Sequence, residues 1–343
     1  MGAVRSRLSS PRLAAGIDAA QRQRIMAAAG PRCSRHVCRQ CGMVDIMRLD
    51  TLNTPQTPQS SEAESSKPLR QWRAQLDLSF RKSAGLTRFA HCAHEGPLRV
   101  QRLFHPEPGG KAHCYLLHPP GGVVLGDDLQ INIAVKSGEA LVTTPAAGRF
   151  YTVDQHREVQ RQSVNLLVDD DACLEWVPQE TILFNGVNAE LDTRIELQAR
   201  SRLVFWDVVV LGRPACDEAF TRGRLKQRLE ISRKGRPLLI ERLSCTAGDR
   251  LSQAAMGMQG QSTVGIMVLT DIPAAPCLED WLRAVNPAPN QGAFTVTHRG
   301  ELVIARYLGD DAQHCRAGFA RLWRAATEDV LGVTPATPRI WHT

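Results

Sequence analysis

No stretch of about 18 consecutive apolar residues occurs anywhere in the 343-residue sequence, which excludes a membrane-spanning helix. The longest apolar stretch near the N-terminus, Ile25 to Gly30, is too short for the core of a secretion signal and lies among arginines. Ten cysteines are present, but over most of the chain they lack the paired short spacings of a disulfide or metal framework. Without a secretion signal they read as reduced thiols, which places the protein in the cytoplasm. Catalytic signatures are missing as well. There is no Walker A sequence, no Gly-x-Gly-x-x-Gly after a strand, no His-Glu-x-x-His and no nucleophile elbow marking one serine. Gly121-Gly122 lacks the Lys-Ser/Thr and the helix that a phosphate loop needs, so it reads as a tight turn. A non-enzymatic protein is expected; a β-rich hydrolase with an unrecognised site is the alternative.

Basic charge outside the N-terminus is also scarce. The formal net charge is +7, but residues 1–46 hold eight Arg against Asp18 and Asp45, a net +6. The other 297 residues therefore carry +7 − 6 = +1. A nucleic-acid-binding domain concentrates positive charge on its folded part, so no nucleic acid is expected as a partner.

What is present divides at about residue 70. Residues 1–70 mix Arg, Ala, Ser and Pro without a sustained period, and 51–68 is a polar tract of low complexity. Such a segment buries too little apolar surface to offset the entropy of ordering it. It reads as a disordered extension with a short helix around Ile17–Ala29. A second reading starts the protein at Met43 or Met47. Within the extension, Cys33, His36, Cys38 and Cys41 have a spacing that could ligate zinc through three sulfurs and one nitrogen. A chain beginning at Pro68 is expected to fold without this part.

Residues 71–343 read as a single β-rich domain. Leu129, Ile131, Ile133 and Val135 alternate with polar residues, the pattern of a half-buried strand, which turns at Ser137-Gly138 into Ala140–Thr143. The unit recurs as Val164–Val168, a turn at 169–171 and Cys173–Val177, then as Arg194–Leu197, a turn at 199–201 and Leu203–Val210. Leu141, Leu174 and Leu203 occupy matching places in it, 33 and 29 residues apart. A repeated strand–turn–strand unit of about 30 residues predicts stacked layers, each burying its neighbour. An ordinary β-sandwich is the alternative. Further strands are expected at Leu225–Ile231, Leu238–Leu243, Val264–Leu269 and Leu302–Tyr307, and helices at Glu279–Val285 and 311–331. The second helix has Phe319, Leu322, Trp323 and Ala326 on one face and Gly332 as its stop.

Several ligand types gather between residues 91 and 118: His91, His94, His105, His113 and His118, with Cys92 and Cys114 among them. Imidazole and thiolate suit nickel or zinc, but these spacings match no preformed tetrahedral site. Each residue taken alone fits a structural or solvated role.

Certain segments recur in an order that resembles one family. They are Gly85-Leu86-Thr87-Arg88, Gly96-Pro97-Leu98-Arg99-Val100-Gln101, His118-Pro119-Pro120-Gly121-Gly122-Val123-Val124-Leu125-Gly126-Asp127, Thr143-Thr144-Pro145-Ala146, Phe150-Tyr151, Leu174-Glu175-Trp176-Val177-Pro178-Gln179-Glu180 and the final Pro338-Arg339-Ile340-Trp341. Their order and spacing resemble the urease accessory protein UreD (UreH) family. The resemblance implies a mainly β fold, an elongated helical stack of β-sheets (β-solenoid-like) with a few helices. It also implies a scaffold or metallochaperone subunit that binds apo-urease and, with UreF and the GTPase UreG, supports nickel insertion. No cofactor would be tightly bound, and nickel would pass transiently. A water-filled passage of the kind proposed for the family would use Asp127, Glu175, Glu180 and His118 as a transient nickel path, because acidic side chains attract a hydrated divalent ion. Glu175 and Glu180 could instead form salt bridges with arginines. The C-terminal helix and tail, with Trp323 and Trp341, would contact UreF; the alternative is that both tryptophans close the β-core.

Overall fold

The computed structural model describes Trp72 to His342, apart from Leu125, 153–157, 272–277 and 286–291. These residues belong to one compact unit, Ser65–Thr343. The expectations for the extension, including the Cys33–Cys41 cluster, concern residues outside this range.

The chain winds as a coil between two sheets. Strands β1 (Arg73–Ser83), β5 (Asp128–Val135), β8 (Gln160–Val168), β11 (Asn188–Leu197) and β13 (Arg224–Arg233) lie side by side and parallel in the first sheet. The hairpin partners β2 (Leu86–Glu95) and β14 (Arg236–Thr246) close its two edges with antiparallel pairing. In the second sheet, β4 (Ala112–Leu117), β6 (Glu139–Thr143), β9 (Cys173–Trp176) and β12 (Arg202–Leu211) are again parallel. Antiparallel β15 (Thr263–Thr270), β17 (Leu302–Gly309) and β16 (Ala293–Arg299) extend it at one end, and β3 (Arg99–Val100) at the other. Short β7 (Gly148–Phe150) and β10 (Thr181–Leu183) pair beside β12. Each turn of the coil gives one strand to each sheet, which is why neighbours in a sheet are parallel. A β-sandwich built from hairpins would make them antiparallel. The β-solenoid-like arrangement is therefore the fold.

Register follows from the apolar parity. Leu78, Ile133, Leu166, Ile195 and Ile231 stand in one row across the first sheet, all pointing inward. Opposite them, Cys114, Val142, Trp176 and Phe205 form an inward row of the second sheet. One expectation needs correction here. Leu174 and Leu203 are indeed in register, but their partner in β6 is Ala140, while Leu141 pairs with Glu175 and faces outward. A one-residue offset in a strand transfers the side chain to the opposite face, and two adjacent apolar residues hide that parity in the sequence. The strand expected at Arg194–Leu197 is longer: Ala189, Leu191 and Thr193 continue its inward face, alternating with polar residues, back to Asn188.

Turns between the sheets are set by residues that accept a left-handed backbone. Gly138 has φ +83°, and a Cβ there would lie 2.5 Å from Thr87 Oγ1. The equivalent turn one coil later uses Asp171 at φ +59°, a residue type that tolerates this conformation.

The two longer helices cover the outer face of the second sheet at one end. Helix α1 (Arg250–Gln253) is a single turn, α2 (Leu278–Val285) is short and α3 (Ala312–Leu331) is long. Asp311 caps α3 by accepting from His314 N–H at 2.9 Å, and Gly332 ends it at φ +63° with its N–H on Glu328 O. Cys315, Phe319, Leu322, Trp323 and Ala326 bury one stripe of α3 against Trp206, Met267 and Leu269. Gly265 permits this approach, because a Cβ there would stand 2.5 Å from Cys315 Sγ.

Candidate functional site: a polar-floored cavity between the sheets

Three of the turn-rich segments singled out in the sequence meet at one place. His118 ends β4 in a turn closed by Gly121 N–H on His118 O at 2.9 Å. The following Val123 exchanges hydrogen bonds with Arg149 and Tyr151, and a Cβ on Gly122 would collide with the Tyr151 ring. Thr144 Oγ1 accepts from Gln179 N–H at 3.0 Å, tying the Thr-Thr-Pro-Ala segment to the Trp-Val-Pro-Gln segment. His118, Thr144, Pro145, Trp176, Pro178 and Gln179 thus share the wall of a cavity of about 200 Å³ that runs between the two sheets.

Most of this cavity is apolar, walled by residues such as Leu129, Ile131, Val164 and Phe150. Polar side chains nevertheless occupy inward positions on neighbouring strands. Gln162 of β8, Thr193 of β11 and Asp207 of β12 line the space. Gln227 of β13 crosses from the first sheet to the second and donates from Nε2 to Asp207 Oδ2 at 2.8 Å. Burial pushes the Asp207 carboxyl from its ordinary 3.8 up to about 6; the hydrogen bonds from Gln227 and the Val208 backbone only partly oppose this. An interior carboxylate held only by neutral donors, Gln227 and the Val208 backbone, retains the capacity to attract a cation.

His118 also belongs to this cavity. Half-burial lowers its pKa from the ordinary value, and the nearby Asp127 carboxylate works the other way. Asp127 itself is buried, and both its oxygens are engaged: Oδ2 accepts Val124 N–H at 3.0 Å and Oδ1 accepts Trp72 N–H at 3.2 Å. It ties the loop after β4 to the start of β1. Asp127→Ala should therefore lower the free energy of unfolding in urea by about 1–3 kcal/mol, because two backbone donors lose their acceptor. An unchanged urea midpoint would show that the two bonds contribute nothing to stability.

Glu175 and Glu180 lie on the other side of the second sheet. Glu175 is buried against Lys111, with Oε1 2.9 Å from Nζ, and Glu180 pairs with Arg316 of α3 at 2.5 Å. The structure thus brings His118 and Asp127 together and separates them from Glu175 and Glu180. Among the described residues no group of three or more His, Cys, Asp or Glu is arranged to hold a metal ion. His105 is committed to the Thr87 carbonyl at 2.7 Å, and His94 to Arg99.

Trp323 is 1% exposed, inside the α3–sheet interface. Trp341 is half-buried between Trp206 and Trp323, with ring centroids 5.6 and 6.1 Å away, and its indole N–H donates to Thr143 Oγ1 at 2.8 Å. Beside it a groove runs along α3 past Gln313, Ala317, Ala320 and Arg324. Both tryptophans pack in the core around α3.

The profile of the UreD urease accessory protein family matches residues 73–342, nearly all of the described chain. The chain belongs to the UreD family. Its likeness to individual members is of the same extent. A urease accessory protein UreD of Saccharophagus degradans is 39% identical over 279 residues, covering 80% of this chain and 95% of the relative. The UreD of Alkalilimnicola ehrlichii is 41% identical over 284 residues (82% and 95%), and that of Klebsiella pneumoniae subsp. pneumoniae 39% over 279 (80% and 97%). UreD proteins are accessories to urease, so the chain is a helper of an enzyme and not an enzyme itself.

Asp207, Gln162, Thr193 and Gln227 were not among the expected site residues. Their signal was present in the alternation. Asp207 shares parity with Leu203, Phe205 and Val209, Thr193 with Leu191 and Ile195, and Gln227 with Leu225 and Leu229. Polar residues at inward positions of adjacent strands mark a lined cavity.

Proposed function

We propose that this UreD-family chain is a cytoplasmic urease maturation factor. It docks on apo-urease, joins UreF and the GTPase UreG, and supports insertion of nickel into the urease active site. Family membership over residues 73–342 carries the reading. Nickel is cargo in this scheme, and no cofactor is bound tightly. Nucleotide hydrolysis is the work of UreG, in keeping with a chain that has no nucleotide motif. The free cysteines Cys92, Cys114, Cys173, Cys216, Cys245 and Cys315 suit a reducing compartment, and no described helix is long and apolar enough to cross a membrane.

The nickel path proposed here uses the cavity between the sheets. His118 stands at its wall with Asp127 behind it, and Asp207 supplies the interior negative charge. Such a path needs weak, exchangeable ligation, since a closed cage would retain the ion. Glu180 and Glu175, each already paired with a cation, would serve chiefly to hold the walls in place. UreF is assigned to the face formed by α3 and the tail with Trp341, where the groove along Ala317 and Ala320 offers small side chains to a partner. Trp323, beneath that face, supports it from within.

Removal of the gene, with and without a plasmid copy, tests the role. Urease activity should be lost and return with the copy; full activity in the deletion strain would remove the reading.

A further inference from the structure

The cavity between the sheets has a basic residue at its mouth, where the interior holds a carboxylate. Among the described residues of its wall, Gly121, Ala146, Gly148 and Arg149 are the exposed ones, so it opens between the turns 118–121 and 144–149. Val123 N–H on Arg149 O at 2.7 Å ties the two turns together. Asp207 lies within and Arg149 at the rim. Among the described residues the Arg149 guanidinium has no hydrogen-bond or ion-pair partner. Apolar side chains adjoin it. Pro119 and Pro120 are exposed in the first turn. Val124 is 42% and Trp72 49% exposed, and their N–H groups share the Asp127 carboxylate. Exposed apolar residues gathered in this way mark a contact surface. Pro178 and Gln179 line both the cavity and the groove along α3, so this surface is continuous with that groove.

We infer that the partner seated on the α3 groove extends over this mouth and presents an Asp or Glu side chain to Arg149. That the partner is UreF rests on the proposed assignment of UreF to the α3 face; the chemistry of the contact does not. In water an isolated guanidinium is solvated and costs little. Beneath a partner's surface it loses that water, and leaving it unpaired is strongly unfavourable. A carboxylate answers it with two parallel N–H···O bonds. Gly121, Ala146 and Gly148 carry little or no side chain and leave room for the approach. The pairing also favours passage of a cation. A bare guanidinium at the rim repels a divalent ion drawn inward by Asp207, and a carboxylate beside it removes that repulsion. The mouth thus disfavours cations in the free chain and admits them once the partner has docked.

The test measures binding of purified UreF to the full chain by calorimetry, for the native protein, Arg149→Glu, Arg149→Gln, Arg149→Lys and Ala317→Arg, with thermal melts of each. Arg149 is exposed and unpaired, so its variants should melt as the native chain does. Arg149→Glu should weaken binding roughly tenfold or more, Arg149→Gln less, and Arg149→Lys by no more than about threefold. Native binding should weaken as salt rises, and Arg149→Gln should lose part of that dependence, which a purely structural role would not alter. Ala317→Arg fills the groove and tests the α3 assignment separately. Loss of binding in Ala317→Arg with native affinity in Arg149→Glu overturns the inference and leaves UreF on α3. Native affinity in Ala317→Arg with weakened Arg149→Glu removes the α3 assignment and retains the carboxylate contact at the mouth. Native affinity in both overturns both.

Discussion

Asp207→Asn should make the isolated protein more stable at neutral pH and poorer at delivering nickel. The two effects have one origin, a carboxylate placed inside the cavity where burial raises its pKa from 3.8 to about 6. A carboxyl that binds its proton more tightly when folded is neutral in its effect below about pH 4. It opposes folding increasingly as pH rises to about 6, and the penalty is constant above that. That rise corresponds to at most about 3 kcal/mol. Thermal melts of Asp207→Asn and the native protein should therefore nearly coincide at pH 4 and diverge through pH 6, with the variant higher. In cells the same variant should assemble with its partners yet activate urease several-fold less at limiting nickel. Excess nickel should partly restore activation, because a shallower electrostatic well lowers local ion concentration without blocking passage. Higher stability with lower function is the pattern expected of a residue retained for activity. A variant that is stabilised and fully active would show that the cavity charge is unconnected with nickel.

Trp341→Ala should cost the isolated chain about 2–4 kcal/mol of stability, measured by denaturant unfolding. The indole fills the space between Trp206 and Trp323, and its N–H reaches Thr143 Oγ1, itself donating to Val177 O at 2.6 Å. Removing a partly buried tryptophan leaves a cavity next to two other large rings and exposes a buried hydroxyl. Elsewhere the tail that carries it is held by Ala336 on Glu107, Thr337 on Arg324 and the Arg339 backbone on Tyr115. Its loss of order should raise amide exchange over 333–340 in the same variant. Unaltered unfolding and exchange would mean that the tail is anchored without the indole, leaving Trp341 free for a partner.

The sequence announces the coil more clearly than the site. Period-two strands at 129–135, 164–168 and 203–210, separated by polar turns, are sufficient for a stacked β arrangement, and the caps of α3 at Asp311 and Gly332 are visible as residue types. Hairpin β1–β2 is less visible, because its edge strand exposes Arg88, His91 and Glu95 and has a bulge near Phe80. Which carboxylate faces the cavity was legible only through parity, one residue either way deciding the side. Glu175 and Trp176 are neighbours in sequence yet point to opposite faces, one to Lys111 and the other into the cavity. Motif membership selected Glu175, whereas Asp207 lies in no turn-rich motif and is distinguished only by its place among Leu203, Phe205 and Val209. The pairing of Lys111 with residues 4 and 64 positions away belongs to tertiary structure, and no local pattern encodes it.

Nickel content of urease tests the central claim most directly. Urease purified from a strain lacking only this chain, grown with limiting nickel, should be present in normal amount, carry little or no nickel and be inactive; a plasmid copy should return both metal and activity. Urease with full nickel content in the absence of this chain would contradict a role in nickel insertion.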